Sequence, residues 1–397
     1  MHKIRKIVLF VASPFNERDF KRFGVDILRS NGFEVLVYDF SLLVYPKLYE
    51  LGVLDPADYE KHSCFVNKCD AIKAILEIDT DAFICLFFFY NKRTFWIYKT
   101  ISKTNVPYMD VLQGAIPQFG LENTGTIHFL KHFFNKVSRL SIKNIKNIPY
   151  RIYFARYLGI RAANLVVAAG TESLNTYRKL ILFGGKTEVL YTPSADYNIF
   201  LEMGGTNVSN EAKAIYIDAW ATGSLRGDRT SLGEEIVINL EKYQSSLRNF
   251  FNKVEKETGC IVNIAAHPGY DGCRYPDMFG KRLTIVDNTA EMISRSSFVL
   301  ANGSTAVSFA ILFGKPIIFL TSDDELARFK KLKFKEAIGP WLGKTPINID
   351  YPNDLDWDKE LKINEDVYRN YKHSFLIANG TEEINSWQIV ANRLKQM

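Results

Sequence analysis

The chain contains few cysteines and no long apolar stretch. Its 397 residues include five cysteines, irregularly spaced: Cys64, Cys69, Cys85, Cys260 and Cys273. An odd, irregular set fits neither a disulfide framework nor a zinc site, so it indicates a reducing compartment. No run of about eighteen apolar residues occurs, so we expect no transmembrane helix.

Two signals are absent near the N-terminus. The apolar run IVLFVAS, which follows MHKIRK, has the length of a strand rather than of a signal peptide, and polar FNERD comes directly after it. We therefore expect no cleavable signal and a cytoplasmic protein. No Gly-x-Gly-x-x-Gly follows the first predicted strand, Lys6–Ala12, which counts against an NAD or FAD enzyme.

Length and composition predict two globular domains. Apolar residues make up 47% and charged residues 24% of the chain, with a net charge of +6. A chain of this length is too long to fold around a single hydrophobic core of ordinary size. The glycine-rich stretch Gly204–Asn207 is the best linker, so we place the first domain at residues 1–205 and the second at 206–397. We expect the last helix to cross back onto the first domain.

The stretch Cys260–Ser322 carries the clearest pattern. Short runs rich in Val, Ile and Phe alternate with helical patterns, as in a parallel sheet. Ligands of such sheets bind beyond the carboxyl ends of the strands. Both His267-Pro268 and Gly303-Ser304-Thr305 fall at predicted strand ends, so we expect them to meet at one ligand.

The residue types at these strand ends suit a phosphate. Ser304 and Thr305 stand where a helix is predicted to begin, where hydroxyls and free backbone N–H groups point the same way and the helix dipole favours negative charge. His267 can donate to a phosphate or to a leaving-group oxygen. The structural alternative is that Ser304 only caps the helix and that His-Pro is part of the framework.

These motifs carry a resemblance. His267-Pro268 followed by Ser304-Thr305 resembles the HP and S-S/T motifs of bacterial GT-B glycosyltransferases that use CMP-activated sugars, such as sialyltransferases, polysialyltransferases and Kdo transferases. The run from Tyr216 to Trp387 also resembles surface-carbohydrate biosynthesis proteins. The resemblance implies an α/β GT-B fold, with two Rossmann-like domains facing across a cleft. It also implies a nucleotide site made of His267, Pro268, Gly303, Ser304 and Thr305.

The catalytic carboxylate is left open by the sequence. The chain lacks the acidic pair followed by glycine that supplies the base in several sialyltransferase families. Asp110 and Glu122 lie in and after the predicted strand Tyr108–Leu112, and Asp218 lies near the end of another. Any of the three can take a proton from an acceptor or contact the sugar, and His267 can assist. The alternative for each is a hydrogen-bonded structural carboxylate.

A basic segment follows Glu122. No acidic residue occurs between Glu122 and Glu172, whereas cations alternate there with aromatic and aliphatic residues. Such a segment suits an anionic membrane surface or an acidic acceptor. Alternatives are a solvated helical pair or, least favoured, nucleic acid. The cations assigned to membrane or acceptor contact are Lys131, Lys136, Arg139, Lys143, Lys146 and Arg151.

The sequence therefore predicts a glycosyltransferase that moves a CMP-activated ulosonate, Kdo or a sialic-acid-like nonulosonate, to a bacterial surface polysaccharide or lipid-linked glycan. We expect no metal ion, no cofactor and no nucleic-acid partner, with peripheral contact at the cytoplasmic face of the inner membrane. Alternatives are a UDP- or GDP-sugar transferase, a polyol-phosphate transferase, a nucleotide-sugar epimerase, and a non-enzymatic glycan- or membrane-binding protein.

Overall fold

The computed structural model places most of the chain in α/β structure. It describes residues 3–46, 57–114, 116–117, 152–177, 180–205, 211–218, 239–267, 270, 272–273, 277–332, 338–352 and 354–397. No helix within these ranges is long and apolar enough to cross a membrane.

The first half of the chain forms a seven-stranded sheet. Its order is β3-β2-β1-β4-β5-β6-β7, and every pairing is parallel. The central strands are continuous apolar runs because helices cover both faces of the sheet. The strands are β1 (Lys6–Val11), β2 (Glu34–Asp39), β3 (His62–Cys64), β4 (Ala82–Leu86), β5 (Tyr108–Leu112), β6 (Leu165–Ala168) and β7 (Glu188–Tyr191).

Short helices connect these strands. Asn16, Asn67 and Ser194 cap three of them by accepting a hydrogen bond from a first-turn backbone N–H, as polar residues at this position do. The helices are α1 (Glu17–Arg22), α2 (Val25–Ser30), α3 (Ser41–Val44), α4 (Lys68–Leu76), α5 (Phe95–Ile101), α6 (Ile152–Ala155), α7 (Thr171–Tyr177) and α8 (Ala195–Glu202).

The second half forms a six-stranded parallel sheet. Its order is β10-β9-β8-β11-β12-β13. The strands are β8 (Lys213–Ile217), β9 (Ile261–Ala266), β10 (Thr284–Val286), β11 (Phe298–Ala301), β12 (Ile317–Thr321) and β13 (Ile347–Asn348). The helices are α9 (Leu240–Thr258), α10 (Thr289–Ser294), α11 (Val307–Leu312), α12 (Asp323–Leu332), α13 (Ile338–Trp341), α14 (Trp357–Glu360), α15 (Glu365–Tyr371), a π-helical turn (Lys372–Leu376) and α16 (Ser386–Leu394).

Two elements differ from the sequence prediction. The pattern predicts one helix over residues 17–30, but the structure divides it into α1 and α2 at Gly24, whose φ is 63°. A methyl group built on Gly24 would lie 2.2 Å from the indole Cγ of Trp387, so the break makes room for this distant side chain. The sequence predicts a packed region over residues 42–68 that is either irregular or helical, but the structure places strand β3 there, which is too short and polar to show a strand pattern.

The C-terminal segment returns to the first half of the chain. Ser194 donates its backbone N–H to the carbonyl of Leu376 at 2.7 Å, and Ala378 donates to Ala169 at 2.9 Å. The last helix, α16, packs Trp387 into the core formed by β1, α2 and β4. Residues 206–210, where we place the domain boundary, lie outside the described residues, and the boundary stays a prediction.

Gly170 lies where the returning segment touches the end of β6. A methyl group built there would come within 2.1 Å of the backbone carbonyl oxygen of Ser374. We expect Gly170→Ala to lower the free energy of unfolding by about 1–3 kcal/mol, because backbone on both sides must separate. Gly185→Ala is the matched control, since nothing lies within 4 Å of the added methyl group. Equal urea midpoints for the two variants would contradict the prediction.

Candidate active site

A cavity of about 640 Å³ lies at the carboxyl ends of the second sheet. Its walls come from the residues that follow β8, β9, β10 and β11, from α8, and from α1 of the first half of the chain. The cavity therefore occupies the cleft between the two sheets. The lining residues used below are Arg18, Asp196, Asp218, His267, Ser304 and Thr305.

The structure brings two predicted motifs to this cavity. His267 follows β9, and Ser304 and Thr305 follow β11, two strands that flank β8 in the sheet. All three side chains reach the surface of the cavity, and Thr305 is exposed. Position 303 adopts a φ of 115°, a conformation that L side chains rarely adopt, so the turn requires glycine.

Ser304 also has a structural part in the turn. Its hydroxyl oxygen accepts a hydrogen bond from the backbone N–H of Ala306 at 3.2 Å. Thr305 shows no such bond among the described contacts of the turn. Helix α11 begins at Val307, with Ala306 as its N-cap and no side-chain cap, so this bond stabilises the turn and does not cap the helix as the structural alternative expected. Thr305 lines the cavity.

The buried side chain of Asn302 anchors the turn that contains Gly303 and Ser304. Its buried amide donates to the hydroxyl of Tyr243 at 3.1 Å and to the two carboxylate oxygens of Glu325 at 3.2 and 3.1 Å. Tyr216 and Tyr243 share a further hydrogen bond of 3.2 Å. Burial, together with the Glu325 charge, raises the pKa of Tyr243 well above its usual value, so its hydroxyl stays protonated. This network fixes the backbone that presents Ser304.

Asp218 stands at the same edge of the sheet. It directly follows β8, and its backbone N–H continues the ladder to the carbonyl of Ala265 at 2.9 Å. The residue is 2% exposed, yet it lines the cavity. Of the three predicted carboxylates, Asp218 is the one that the structure shows at the cleft.

Asp110 lies elsewhere. Its side chain is buried in the first sheet, where the hydroxyl of Tyr98 donates to one carboxylate oxygen at 3.0 Å and the other oxygen has no hydrogen-bond partner among the described residues. Burial raises its pKa to about 7. Asp110 lies two residues before the end of β5, where both faces of the sheet are covered, so a position near a strand end was not sufficient to place its side chain at the cleft.

Sequence reasoning missed five charged residues of the cavity. Three of them, Asp287, Glu291 and Arg295, lie in the segment that runs from the end of β10 to the C-cap of α10. The other two are Arg18, on α1, and Asp196, on α8. Burial raises the pKa of the Asp196 carboxyl, and Arg22, a hydrogen bond from Ser308 and Arg18 oppose that rise. No local signal identifies Arg18 or Asp196, because their proximity depends on how α1 meets α8.

Several predicted residues cannot be placed. Glu122, Pro268, Lys131, Lys136, Arg139, Lys143, Lys146 and Arg151 lie outside the described residues. Within the described ranges, no group of three or more His, Cys, Asp or Glu side chains is arranged to hold a metal ion. Three Asp-x-Asp sequences, at Asp79–Asp81, Asp354–Asp356 and Asp356–Asp358, contribute no residue to the cavity.

A second cavity, of about 280 Å³, lies on the first-half side of the cleft. Residues following β1, β4 and β5 line it, together with side chains of α1 and α7. We call it the recess. Its lining residues are Ser13, Asp19, Arg22, Phe23, Phe87, Phe89, Val111, Leu112, Gln113, Gly114 and Tyr177.

Two parallel-sheet domains whose carboxyl ends border a shared cleft define the GT-B fold, and this prediction is confirmed. The wall teichoic acid polymerase TagF superposes with a TM-score of 0.51 at 12% identity, over 99% of this chain and 89% of that one. S. aureus MnaA with UDP superposes with a TM-score of 0.47 at 13% identity, over 98% of this chain and 95% of that one. Arabidopsis thaliana UGT89C1 superposes with a TM-score of 0.47 at 10% identity, over 99% of each chain. No protein-family model and no curated protein matches the sequence.

Proposed function

We propose that the chain is a glycosyltransferase that moves a sugar from a nucleotide donor to an acceptor in the cleft. The observation that carries the proposal is that His267, Ser304, Thr305 and Arg18 line one cavity between the two sheets. Two cationic or protonatable side chains and two hydroxyls around one space match the needs of a phosphate. The GT-B fold is compatible with this chemistry but does not by itself establish it.

Each of these residues has a chemical part in the proposal. Ser304 and Thr305 donate hydroxyl hydrogen bonds to the phosphate of the donor, and His267 donates to the oxygen on which charge develops as the sugar departs. Such donors act most strongly in the transition state, when the phosphate carries the greater charge. Arg18 approaches from the first half of the chain, so the full set of donors requires both halves.

The finer proposal concerns the substrates. We propose a CMP-activated ulosonate as donor and a bacterial surface polysaccharide or lipid-linked glycan as acceptor. It is supported by the order of the His-Pro and Ser-Thr motifs and by the placement of His267, Ser304 and Thr305 at one cavity. Contact of residues 127–164 with the cytoplasmic face of the inner membrane is part of the same proposal and is supported by their basic composition.

A second candidate is transfer of a polyol phosphate from a nucleotide donor. The fold shared with the wall teichoic acid polymerase TagF favours it. In that reaction the acceptor oxygen attacks phosphorus rather than a sugar carbon. The same hydroxyl donors would then stabilise the transferred phosphoryl group as well as the leaving nucleotide.

Nucleotide binding tests the proposal. Calorimetric titration with CMP, CDP, UDP and GDP should show CMP as the tightest ligand, and His267→Ala should weaken its binding about tenfold to a hundredfold, the effect of losing a hydrogen bond to a charged group. Thr305→Ala should weaken it less. The matched control is Thr381→Ala, which lines neither cavity and should bind CMP like the unchanged protein.

Other outcomes separate the alternatives. Tighter binding of CDP, with release of CMP from CDP-glycerol, favours the polyol-phosphate transferase, and tighter binding of UDP or GDP favours another sugar donor. Turnover of a donor into its epimer without acceptor identifies an epimerase. Binding to anionic liposomes without any nucleotide affinity identifies a non-enzymatic membrane-binding protein and overturns the transferase proposal.

A further inference from the structure

The recess joins aromatic faces to charged groups. Phe23 and Phe87 stack with ring centroids 3.7 Å apart, and Phe89 and Tyr177 stack at 5.4 Å. Phe87 and Phe89 keep part of their surface exposed. Carbohydrate rings present apolar C–H faces and polar edges, and sites that combine aromatic walls with a few polar groups suit such molecules.

Charged side chains stand at one side of the recess. Asp19 and Arg22, three residues apart on α1, both line it. The guanidinium of Arg22 lies against the end of β5, since a methyl group built on Gly114 would sit 3.2 Å from its Nη2 atom. Asn16, which caps α1, accepts the backbone N–H of Asp19 at 2.9 Å and so fixes the position of this residue.

Helix α1 lines both the recess and the larger cavity that contains His267 and Ser304. Arg18 lines the larger cavity and its neighbour Asp19 lines the recess. Consecutive residues of one helix thus line the two cavities, so the first turn of α1 is a wall shared by both.

We propose that the recess binds a sugar ring of the acceptor and that Asp19 accepts the proton of the attacking hydroxyl. This inference rests on the proposed function. As the acceptor O–H bond breaks, its proton passes to the Asp19 carboxylate and the oxygen forms a bond to the sugar carbon of the donor. The bond from that carbon to the phosphate oxygen breaks, and its electron pair leaves with the nucleotide. The proton returns to solvent after product release.

The surroundings of Asp19 fit this role. Burial raises the pKa of its carboxyl above the usual value, which makes the carboxylate a stronger base. The charged groups that act on it are Arg22 and Arg18, which oppose the rise, and Asp39, which adds to it. Asp218 and Asp110 are less suited, since the first belongs to the donor side of the cleft and the second lies in the core.

Asp19→Asn tests proton transfer. We expect the transfer rate to fall by about 10²- to 10⁴-fold, with the affinity for CMP unchanged, because general bases contribute that much to catalysis. The transfer rate of the unchanged protein should rise with pH through the pKa of Asp19. This pH-dependent rise should be missing in Asp19→Asn and shifted in Asp19→Glu. Glu17→Gln, at an exposed position on the same helix, is the control and should keep both the transfer rate and its rise with pH.

Phe89→Ala tests the recess. It should raise the acceptor KM about tenfold while changing kcat little, since it removes a stacking surface and no reacting group. Saturation-transfer NMR with methyl hexopyranosides should show ring C–H signals for the unchanged protein and none for Phe89→Ala. This arm needs no donor, so it reports on the recess independently of the proposed function.

Three results would overturn the inference. Glycoside signals that are absent from the unchanged protein, or equal in Phe89→Ala, exclude the recess as the acceptor site. A normal transfer rate in Asp19→Asn excludes Asp19 as the base. A chain without nucleotide affinity removes the transferase proposal and the proton transfer with it, while the glycoside result still stands. Unchanged melting temperatures of the variants establish that each remains folded.

Discussion

Trp387→Ala is expected to lower the free energy of unfolding by about 3–5 kcal/mol, the usual cost of removing a buried tryptophan. Trp387 is 1% exposed and packs in the core of the first half, with its ring centroid 5.9 Å from that of Phe87. Its indole N–H donates to the backbone carbonyl of Arg22 at 2.8 Å. The substitution leaves a cavity against Gly24 and an unpaired carbonyl at the end of α1.

Urea denaturation followed by tryptophan fluorescence and circular dichroism measures this loss. Trp357→Ala is the matched control, because its indole is partly exposed and its N–H donates to the exposed Glu257 at 2.9 Å. We expect the control to lose much less stability. A loss for Trp387→Ala no larger than that of the control would mean that α16 contributes little to the first domain.

The stability of the protein is expected to fall between pH 5 and pH 8 because of Asp110. Burial raises its pKa in the folded state from the ordinary 3.8 to about 7. The folded state then binds a proton more tightly than the unfolded chain does, so stability decreases as the pH rises through this window and the carboxyl ionises. A shift of this size corresponds to about 2–3 kcal/mol between pH 5 and pH 8.

Asp110→Asn isolates this contribution. The amide oxygen of the asparagine keeps the hydrogen bond from Tyr98 but carries no titrating proton. Urea unfolding at pH 5 and pH 8 should show a much smaller pH dependence for Asp110→Asn than for the unchanged protein. Asp26→Asn, at an exposed position on α2, should retain the full dependence. Equal pH dependence in both variants would contradict a buried titrating carboxyl at position 110.

Secondary structure was readable where strands are buried on both faces. The apolar run Tyr108–Leu112, which is largely buried, was predicted with the bounds that the structure shows for β5. Short apolar runs between helical patterns leave few alternatives to a parallel strand. β3 was missed, because its polar residues at the sheet edge carry no such pattern.

The candidate site was readable in part for a similar reason. His267, Ser304 and Asp218 follow strands of one sheet, and parallel strands end at a common edge, so their convergence could be predicted without coordinates. Asp110 was predicted at the cleft because its strand ends there. It lies two residues before that end, where both faces of β5 are covered, so its side chain is buried.

The sequence by itself determined the two parallel sheets, the fold class and the strand ends that meet at the larger cavity, since these depend on local apolar patterns and on residues near one another along the chain. Only the tertiary structure decided which groups complete the cleft. Arg18, Asp19 and Asp196 reach it because α1, α8 and the returning C-terminal segment pack together, and Gly24 interrupts a helix because Trp387 needs the space. Contacts between residues this far apart arise from packing and leave no periodic trace in the sequence.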